Sequence, residues 1–225
     1  MGIFFVYILK ASLCLAVYYL FYRLLLSKET FHRFNRIALL GLLVFSGVVP
    51  FVEVTMQEAP QVSQTFLSLE DMMVPVEEHL DVLDETPKRF PWNALAFLVY
   101  ALGILFFLVR HLWSLGRMIR LLRTSRKEIM EGGITLFVHK EKVAPFSWMK
   151  YIVISEADYR ENGHQIVAHE QAHISNHHSW DLLLVEVCLL AQWFNPAAWL
   201  FRQELQNIHE YEADDTVLRR GINAK

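Results

Sequence analysis

The amino-acid sequence predicts a mainly α-helical membrane protein, with three transmembrane helices followed by a smaller α+β domain that contains a small β-sheet. Two observations on composition support the membrane part. Hydrophobic residues make up 54% of the 225 residues, and the charged residues, 20% of the chain, are absent from long stretches and concentrated in others. A third observation is a change of pattern after Gly132, where short β-branched or aromatic runs replace the long apolar ones.

The charge pattern and the cysteines bear on two other classes of protein. The formal net charge of −3 argues neither for nor against nucleic acid, but the sequence shows no basic recognition helix, so we expect no direct contact with nucleic acid. Cys14 and Cys188 both lie in apolar runs, without C-x-x-C spacing or a disulfide framework. We therefore interpret both cysteines as buried hydrophobic residues.

Residues 1–54 are predicted to form the first two transmembrane helices, which are joined by a short loop. The run from Ile3 to Leu26 has 24 residues. As a helix it would be about 36 Å long, enough to cross a hydrocarbon core of about 30 Å. No Lys or Arg precedes this run and it is longer than a signal-peptide core, so we expect an uncleaved span. Lys10, its one central charge, is compatible with snorkelling, with a partner within the bundle, or with a functional charge to which the sequence assigns no role. The second span, Ile37 to Val52, is shorter.

Residues 55–91 form a predicted acidic loop outside the membrane, and residues 92–112 form the third span. The loop contains four prolines and eight acidic residues against only Lys88 and Arg89, which predicts little fixed structure. Its acidic residues are Glu58, Glu70, Asp71, Glu77, Glu78, Asp81, Asp84 and Glu85. The remaining residues, 113–225, are assigned to the domain that follows the membrane helices.

The basic residues predict the orientation in the membrane. They cluster at the end of the first span and in the loop after it, and again after the third span, at Arg23, Lys28, Arg33, Arg36, Arg117, Arg120, Arg123, Arg126 and Lys127. The positive-inside rule places both clusters in the cytoplasm, with the amino terminus and the acidic loop outside. A nucleic-acid patch is the rival interpretation of the second cluster. We favour a cluster beside the membrane, because the positive-inside rule and contact with anionic lipid headgroups explain the same charges.

Two short strands are predicted in the domain, from Ile134 to Val138 and from Tyr151 to Ile154. Between them, residues 144–148 are predicted to form a turn or loop around Pro145. An exposed edge of this small sheet could receive a peptide as an added strand. The alternative, a hairpin that only covers a neighbouring helix, is equally compatible with the sequence.

A motif with metal-ligand spacing, His-Glu-x-x-His, begins at His169. No Gly or Pro occurs between Gly163 and Pro196, so a helix over residues 164–176 is predicted. In such a helix His169 and His173 lie one turn apart on one face and can hold one metal ion. Imidazole nitrogens suit Zn²⁺, and a catalytic zinc site needs three protein ligands.

Glu210 is our prediction for the third ligand, because Glu210 and Asp214 are again four residues apart and would share the face of a second helix. Asp214 would accept a hydrogen bond from a metal-bound imidazole and so orient it. Glu170, which does not bind the metal, would move a proton during hydrolysis.

Four other residues compete for roles at this site. His177 lies one further turn along, but three such histidines on a straight helix span about 12 Å, so His177 is only a reserve ligand. We interpret His177 and His178 as solvent-facing residues or residues at the rim of the site. His209 and Tyr211 flank Glu210, and either could stabilise an oxyanion.

Residues 182–200 are apolar enough to suggest a fourth span. A single crossing would separate Glu210 from the two histidines by the membrane, so we expect a membrane-adjacent hairpin. Glu186 and Asn195-Pro196 interrupt the apolar run. The prediction is two helices, roughly Ser179 to Phe194 and Pro196 to Arg219.

The three spans, the H-E-x-x-H motif, the Asn195-Pro196 break and the Glu210/Asp214 pair resemble the BlaR/MecR family of membrane metallopeptidases. The zinc core is similar to that of HtpX-type and CAAX prenyl-protein endopeptidases. The resemblance implies a zincin-like (gluzincin) domain, with His169, His173 and Glu210 as zinc ligands and Glu170 as the catalytic glutamate. It also implies that Asp214 matches the acidic residue after the third ligand.

In the BlaR/MecR family, sensors of β-lactams lead to cleavage of a transcriptional repressor, and they continue through another span to a penicillin-binding domain. No S-x-x-K followed by the other elements of that domain occurs in this sequence. We therefore expect a fragment, or a relative that senses another stimulus.

The sequence thus predicts a multi-pass zinc metallopeptidase of the bacterial inner membrane, with its site at the cytoplasmic face. Expected partners are the lipid bilayer and a protein or peptide substrate, such as a transcriptional repressor. The sequence also allows a homodimer. Two rival functions remain: a receptor or scaffold with a structural zinc site, and a general quality-control or prenyl-protein protease.

Overall fold

The structure, a computed structural model, describes residues 2–27, 31–52 and 92–221. The predicted acidic loop, 55–91, lies outside the described residues. Within them the chain forms six α-helices: α1 (Gly2–Leu25), α2 (His32–Val48), α3 (Trp92–Thr124), α4 (Glu156–Ser175), α5 (His178–Ala191) and α6 (Pro196–Arg219). It also forms four strands: β1 (Arg126–Ile129), β2 (Thr135–His139), β3 (Phe146–Trp148) and β4 (Tyr151–Ser155). Two short 3₁₀ turns, Val49–Phe51 and Glu131–Gly133, complete the description.

Three of these helices are long and apolar enough to cross a membrane: α1, α2 together with the 3₁₀ turn that follows it, and α3. The described part of the chain is therefore mainly helical, with three long apolar helices and a small mixed sheet, as the sequence predicts. Helix α3 has 33 residues and continues to Thr124, beyond the predicted end of the span at residue 112. Hydropathy marks where apolar residues end, whereas Arg, Leu and Met beyond that point are good helix formers and extend the same helix.

Helix α6 lies at the centre of the fold and packs against α1, α2, α4 and α5. Its apolar residues share one buried core with residues from α1, α2 and α5. This core consists of Leu15, Tyr22, Leu39, Leu43, Val185, Leu189, Ala197, Ala198, Phe201, Leu205 and Ile208. The apolar face of the α5–α6 pair is therefore covered by two of the apolar membrane helices.

A break in the chain separates α5 from α6 at Asn195-Pro196. Pro196 occupies the first turn of α6, where a missing backbone N–H costs nothing. The buried Asn195 side chain accepts a hydrogen bond from the N–H of Ala197 (3.0 Å) and donates one to the carbonyl oxygen of Ser12 on α1 (3.2 Å). Helix α5 has 14 residues. It is therefore about 21 Å long, shorter than a hydrocarbon core of about 30 Å.

Replacing Asn195 by alanine is expected to lower the free energy of unfolding by about 1–2 kcal/mol, because α6 loses its N-terminal cap. Thermal unfolding in detergent measures this change. Asn207→Ala is the matched control, since Asn207 is an exposed residue on the same helix. Equal melting temperatures for the Asn195→Ala and Asn207→Ala variants would contradict the assigned cap.

Helix α3 touches the break between α5 and α6 at a position where only glycine fits. A Cβ atom at Gly103 would lie 2.2 Å from Cε2 of Trp193, far closer than van der Waals contact allows. One turn earlier, the hydroxyl of Tyr100 donates a hydrogen bond to the carbonyl oxygen of Ala191 (2.9 Å). These contacts hold α3 beside the end of α5.

The sheet has the strand order β1-β2-β4-β3, with β2 and β4 parallel and the outer pairs antiparallel. A second core between sheet and helix α4 consists of Leu136, Val138, Ile152, Ile154 and Val167. The prediction of a turn or loop over residues 144–148 is wrong for Phe146–Trp148, which forms the edge strand β3. Three residues are too few to show the alternation of a strand, and pairing with β4 supplies the order.

Candidate metal centre

Helix α4 carries the first half of the candidate site. Its N-terminus is capped by Ser155, whose hydroxyl accepts a hydrogen bond from the N–H of Asp158 (3.1 Å). Four residues apart, His169 and His173 lie on one face, with ring centroids 4.8 Å apart. Their Nε2 atoms are 3.1 Å from each other. The predicted helix and the predicted pairing of the two imidazoles are therefore both present in the fold.

Helix α6 brings Glu210 to the same point. One carboxylate oxygen of Glu210 is 3.3 Å from Nε2 of His169, and the other is 3.7 Å from Nε2 of His173. Zinc bonds of about 2.0–2.1 Å in a tetrahedron place neighbouring ligand atoms about 3.3 Å apart. In the part of the chain that the structure describes, these three residues are the one group found with ligand atoms close enough to hold an ion. The donor set and its spacing therefore fit zinc.

The three side chains differ in their access to solvent. The side chain of Glu210 is 60% exposed, that of His169 is 28% exposed and that of His173 is 15% exposed. The cluster is thus closed on the side of α4 and open on the side of Glu210. An open side is what a catalytic metal site needs for water and substrate, whereas structural zinc sites are closed.

Asp214 stands one turn after Glu210 and contacts the first histidine. Its Oδ1 atom is 3.2 Å from Nδ1 of His169. A hydrogen bond from Nδ1–H to this carboxylate leaves the lone pair on Nε2 of His169, the atom that faces Glu210. The structure therefore places Asp214 where the sequence predicts an orienting carboxylate.

His173 has a different support, which the sequence did not indicate. Its Nδ1 atom is 2.8 Å from Nδ1 of His178, and Nε2 of His178 is 3.0 Å from a carboxylate oxygen of Glu212. The interpretation of His178 as solvent-facing is wrong, because His178 is buried and only His177 is exposed. His177 adopts a left-handed conformation (φ 60°) that starts a new helix and turns His178 inward.

Further buried charges surround His178. The ring of His209 stacks on it with centroids 4.0 Å apart, and Nε2 of His209 lies 2.9 Å from Oδ2 of Asp181. Arg36, from helix α2, donates to the same oxygen of Asp181 (2.6 Å) and to Oε2 of Glu212 (3.1 Å). Two carboxylates and one guanidinium thus form a hydrogen-bonded network beneath the metal ligands.

These neighbours set the protonation states. Burial raises the pKa of the Asp181 carboxyl, but hydrogen bonds from His209 and Arg36 outweigh it and hold this pKa below its usual value. Burial likewise raises the pKa of Glu212, and the hydrogen bond from His178 and the charge of Arg36 reverse the effect. Both carboxylates are therefore ionised at neutral pH.

The imidazoles of His173 and His178 are neutral at the same pH. Burial is the largest cause that lowers the pKa of His173, and neighbouring imidazoles add to it, so that this pKa falls from 6.5 to about 3. Burial also lowers the pKa of His178 by more than the hydrogen bond to Glu212 raises it. A neutral imidazole is the form that binds a metal.

Glu170, the residue between the ligands in sequence, is buried under the edge strand. Burial raises the pKa of its carboxyl, while a hydrogen bond from Ser147 on β3 and the nearby His169 lower it in part. The net shift is upward, toward the range in which a carboxylate exchanges protons at neutral pH. Ser147 was missed by sequence reasoning, because its segment was assigned to a loop.

The two residues considered as oxyanion donors have other partners. His209 is buried and its Nε2 atom contacts Asp181. Tyr211 is exposed, and its ring lies 5.1 Å from that of His32 on α2. Neither contact places the residue as an oxyanion donor.

Comparison with known proteins bears on the identity of the fold and the site. A model of the family described as BlaR1 peptidase M56 matches residues 9–225, nearly the whole chain. No sequence among curated proteins matches the chain. The family match implies a metal cofactor, in agreement with the cluster of His169, His173 and Glu210. As the resemblance to BlaR/MecR metallopeptidases predicts, the chain therefore belongs to the BlaR1 peptidase M56 family.

Proposed function

We propose that the protein is a zinc-dependent endopeptidase of the gluzincin type, embedded in the bacterial inner membrane with its metal site at the cytoplasmic face. Its substrate is a regulatory protein such as a transcriptional repressor, cleaved in response to a signal. One observation carries the proposal: His169, His173 and Glu210 converge from two helices, with the buried carboxylate of Glu170 beside them.

Three side chains would hold the zinc ion, through Nε2 of His169, Nε2 of His173 and the carboxylate of Glu210. When bound, zinc polarises a peptide carbonyl and makes a nearby water more acidic. Asp214 keeps the imidazole of His169 in the orientation and tautomer that point Nε2 at the ion. The exposed side of Glu210 leaves room for a substrate.

Glu170 performs the proton transfers of hydrolysis. Its carboxylate accepts a proton from the attacking water and returns it to the nitrogen of the leaving amine, so that no net proton is gained or lost by the enzyme. Its burial, which raises its pKa, makes it a stronger base than an exposed glutamate. Ser147, on the strand β3 that packs against α4, offsets part of this rise in the pKa of Glu170.

The substrate main chain would bind along β3. Among the residues that the structure describes, this strand pairs only with β4, so its other edge has backbone groups available for an added strand. Because β3 packs against α4, the helix that carries Glu170, a peptide on that edge would pass close to the proton-transferring carboxylate. The sequence left two roles open for the sheet: an edge that binds a peptide, or a hairpin that only covers a neighbouring helix. The closeness of β3 to the helix of Glu170 favours peptide binding.

The location at the cytoplasmic face rests on charge and on helix length. Basic residues lie near the start of α2 and at the end of α3, where the positive-inside rule expects cytoplasm. Helix α5 is too short to cross, so the two halves of the site need not be separated by lipid. A cytoplasmic site gives access to soluble regulatory proteins.

The proposal is tested with the purified full chain in lipid nanodiscs, loaded with zinc. It is incubated separately with DNA-binding repressor proteins and with unfolded membrane proteins, and the products are identified by mass spectrometry. We expect cleavage of a repressor at one or a few sites, and none by the Glu170→Gln variant. Cleavage of unfolded membrane proteins alone would assign the protein to quality control. A zinc-loaded protein that cleaves neither class would favour a structural metal.

A further inference from the structure

We propose that Arg36, on the apolar helix α2, is a positioning residue for the metal ligand His173 and acts on it through Glu212 and His178. The inference rests on the proposed zinc site. It adds a residue that lies more than 130 positions away from the metal motif in sequence and in a different part of the fold.

An unbroken path of polar contacts joins Arg36 to His173. Nη1 of Arg36 is 3.1 Å from Oε2 of Glu212, and the same oxygen is 3.0 Å from Nε2 of His178. Nδ1 of His178 is then 2.8 Å from Nδ1 of His173. Each step is within hydrogen-bond distance.

The direction of the hydrogen bonds follows from the carboxylate at one end. Glu212 can only accept, so His178 donates from Nε2–H and keeps a lone pair on Nδ1. That lone pair accepts a hydrogen bond from Nδ1–H of His173. The lone pair of His173 is therefore on Nε2, the atom that faces Glu210. Fixing Glu212 thus fixes both the tautomer and the ring orientation of the metal ligand.

Arg36 fixes Glu212 by holding three separate helices at once. Besides Glu212 on α6, its guanidinium donates to Asp181 on α5 (2.6 Å) and to the carbonyl oxygen of Asn176 at the end of α4 (2.7 Å). The planar guanidinium presents its donors in a rigid fork, a geometry that the single ammonium of lysine cannot reproduce. The Arg36 side chain is 18% exposed and that of Glu212 is 6% exposed. Water therefore replaces these contacts poorly.

A simpler role for Arg36 would be to offset part of the charge of two carboxylates, Asp181 and Glu212, and so stabilise the fold. The two roles differ in what they predict for zinc. A stabilising role affects the melting temperature and leaves the zinc affinity of the folded protein unchanged. A positioning role lowers the zinc affinity, and it does so only while His178 can transmit the effect.

The test measures zinc dissociation constants by competition with a chelator, using the purified full chain in nanodiscs. Arg36→Met is expected to weaken zinc binding about 10–100-fold, the usual effect of losing a residue that supports a metal ligand. Arg36→Lys should lose part of this affinity. Arg33→Met is the matched control, because Arg33 is an exposed arginine on the same helix, and we expect less than a twofold change.

A double-mutant cycle separates the two roles. His178→Phe keeps an aromatic ring to stack on His209 but removes both hydrogen bonds of His178. In this background, Arg36→Met is expected to change the zinc affinity less than twofold. Circular dichroism and melting temperatures report folding, and Arg36→Lys takes the place of Arg36→Met in the cycle if the methionine variant does not fold.

Two results would overturn the inference: an unchanged zinc affinity in the folded Arg36 variants, or an equal loss of affinity with and without His178. Neither result would contradict the proposed peptidase function. Conversely, a parent protein that binds zinc but cleaves no substrate would overturn the proposed function and leave this inference standing.

Discussion

Replacing Glu210 by alanine is expected to abolish stoichiometric zinc binding and, with it, peptide cleavage. Among the described residues, Glu210 is the carboxylate that lies near both imidazoles, with its oxygens 3.3 Å from Nε2 of His169 and 3.7 Å from Nε2 of His173. Two imidazoles alone leave a catalytic zinc site one protein ligand short. The loss of affinity should exceed the roughly 10–100-fold expected for Asp214→Ala, because Asp214 touches a ligand and not the ion. Metal analysis after gel filtration measures the stoichiometry.

Glu204→Ala is the matched control for this experiment. Glu204 lies on the same helix, where it pairs with Arg23, at 2.5 Å, and not with the metal cluster. This variant is expected to keep one zinc ion per chain. If Glu210→Ala also kept one zinc ion per chain, Glu210 would not be the third ligand and the assignment of the centre would fail.

Replacing Glu170 by glutamine is expected to leave zinc bound and to reduce cleavage roughly 10²–10⁴-fold, the usual contribution of a general base. Glutamine has nearly the same shape and can still bond to Ser147, but it cannot accept a proton from water. Steady-state cleavage and metal content are measured on the same preparation. Glu161→Gln, an exposed change on the same helix, is the control and should retain full activity. Undiminished cleavage by Glu170→Gln would remove Glu170 from the reaction.

The same variant has a consequence for stability in the zinc-free protein. Because burial raises the pKa of Glu170 in the folded state, the folded protein binds this proton more tightly than the unfolded chain does. The resulting stabilisation is complete below the unfolded pKa and is lost as pH rises through the folded pKa. Glutamine does not titrate, so the Glu170→Gln variant lacks this loss. As the pH is raised from acidic to neutral, the melting temperature of the variant minus that of the parent should therefore increase, as measured in the presence of a chelator.

The elements that sequence reasoning predicted well are those with a long, regular pattern. The three apolar helices follow from hydropathy, and the pairing of His169 with His173 follows from helical spacing. The break at Asn195-Pro196 follows from the chemistry of proline. In each case the information lies within one element, so no knowledge of the tertiary fold is needed.

The elements that were missed depend on contacts between distant parts of the chain. Strand β3 is only three residues long, and pairing with β4 makes it a strand. His178 is buried because His177, a non-glycine residue in the left-handed conformation, turns the chain before α5. Arg36 looked like one of several basic residues that mark the cytoplasmic side. Only the packing of α2 against α6 turns it toward Glu212.

Helix α6 serves two parts of the molecule at once, since Phe201 and Leu205 belong to the core shared with α1 and α2, and Glu210 belongs to the metal cluster. A soluble fragment starting after α3 would leave those apolar side chains facing water, without the surfaces that now cover them. Excision of a water-soluble catalytic piece is thus the wrong strategy for biochemistry on this protein. Preparations have to retain the amino-terminal helices, and solubilising agents that strip them away would distort the very helix that presents the third ligand.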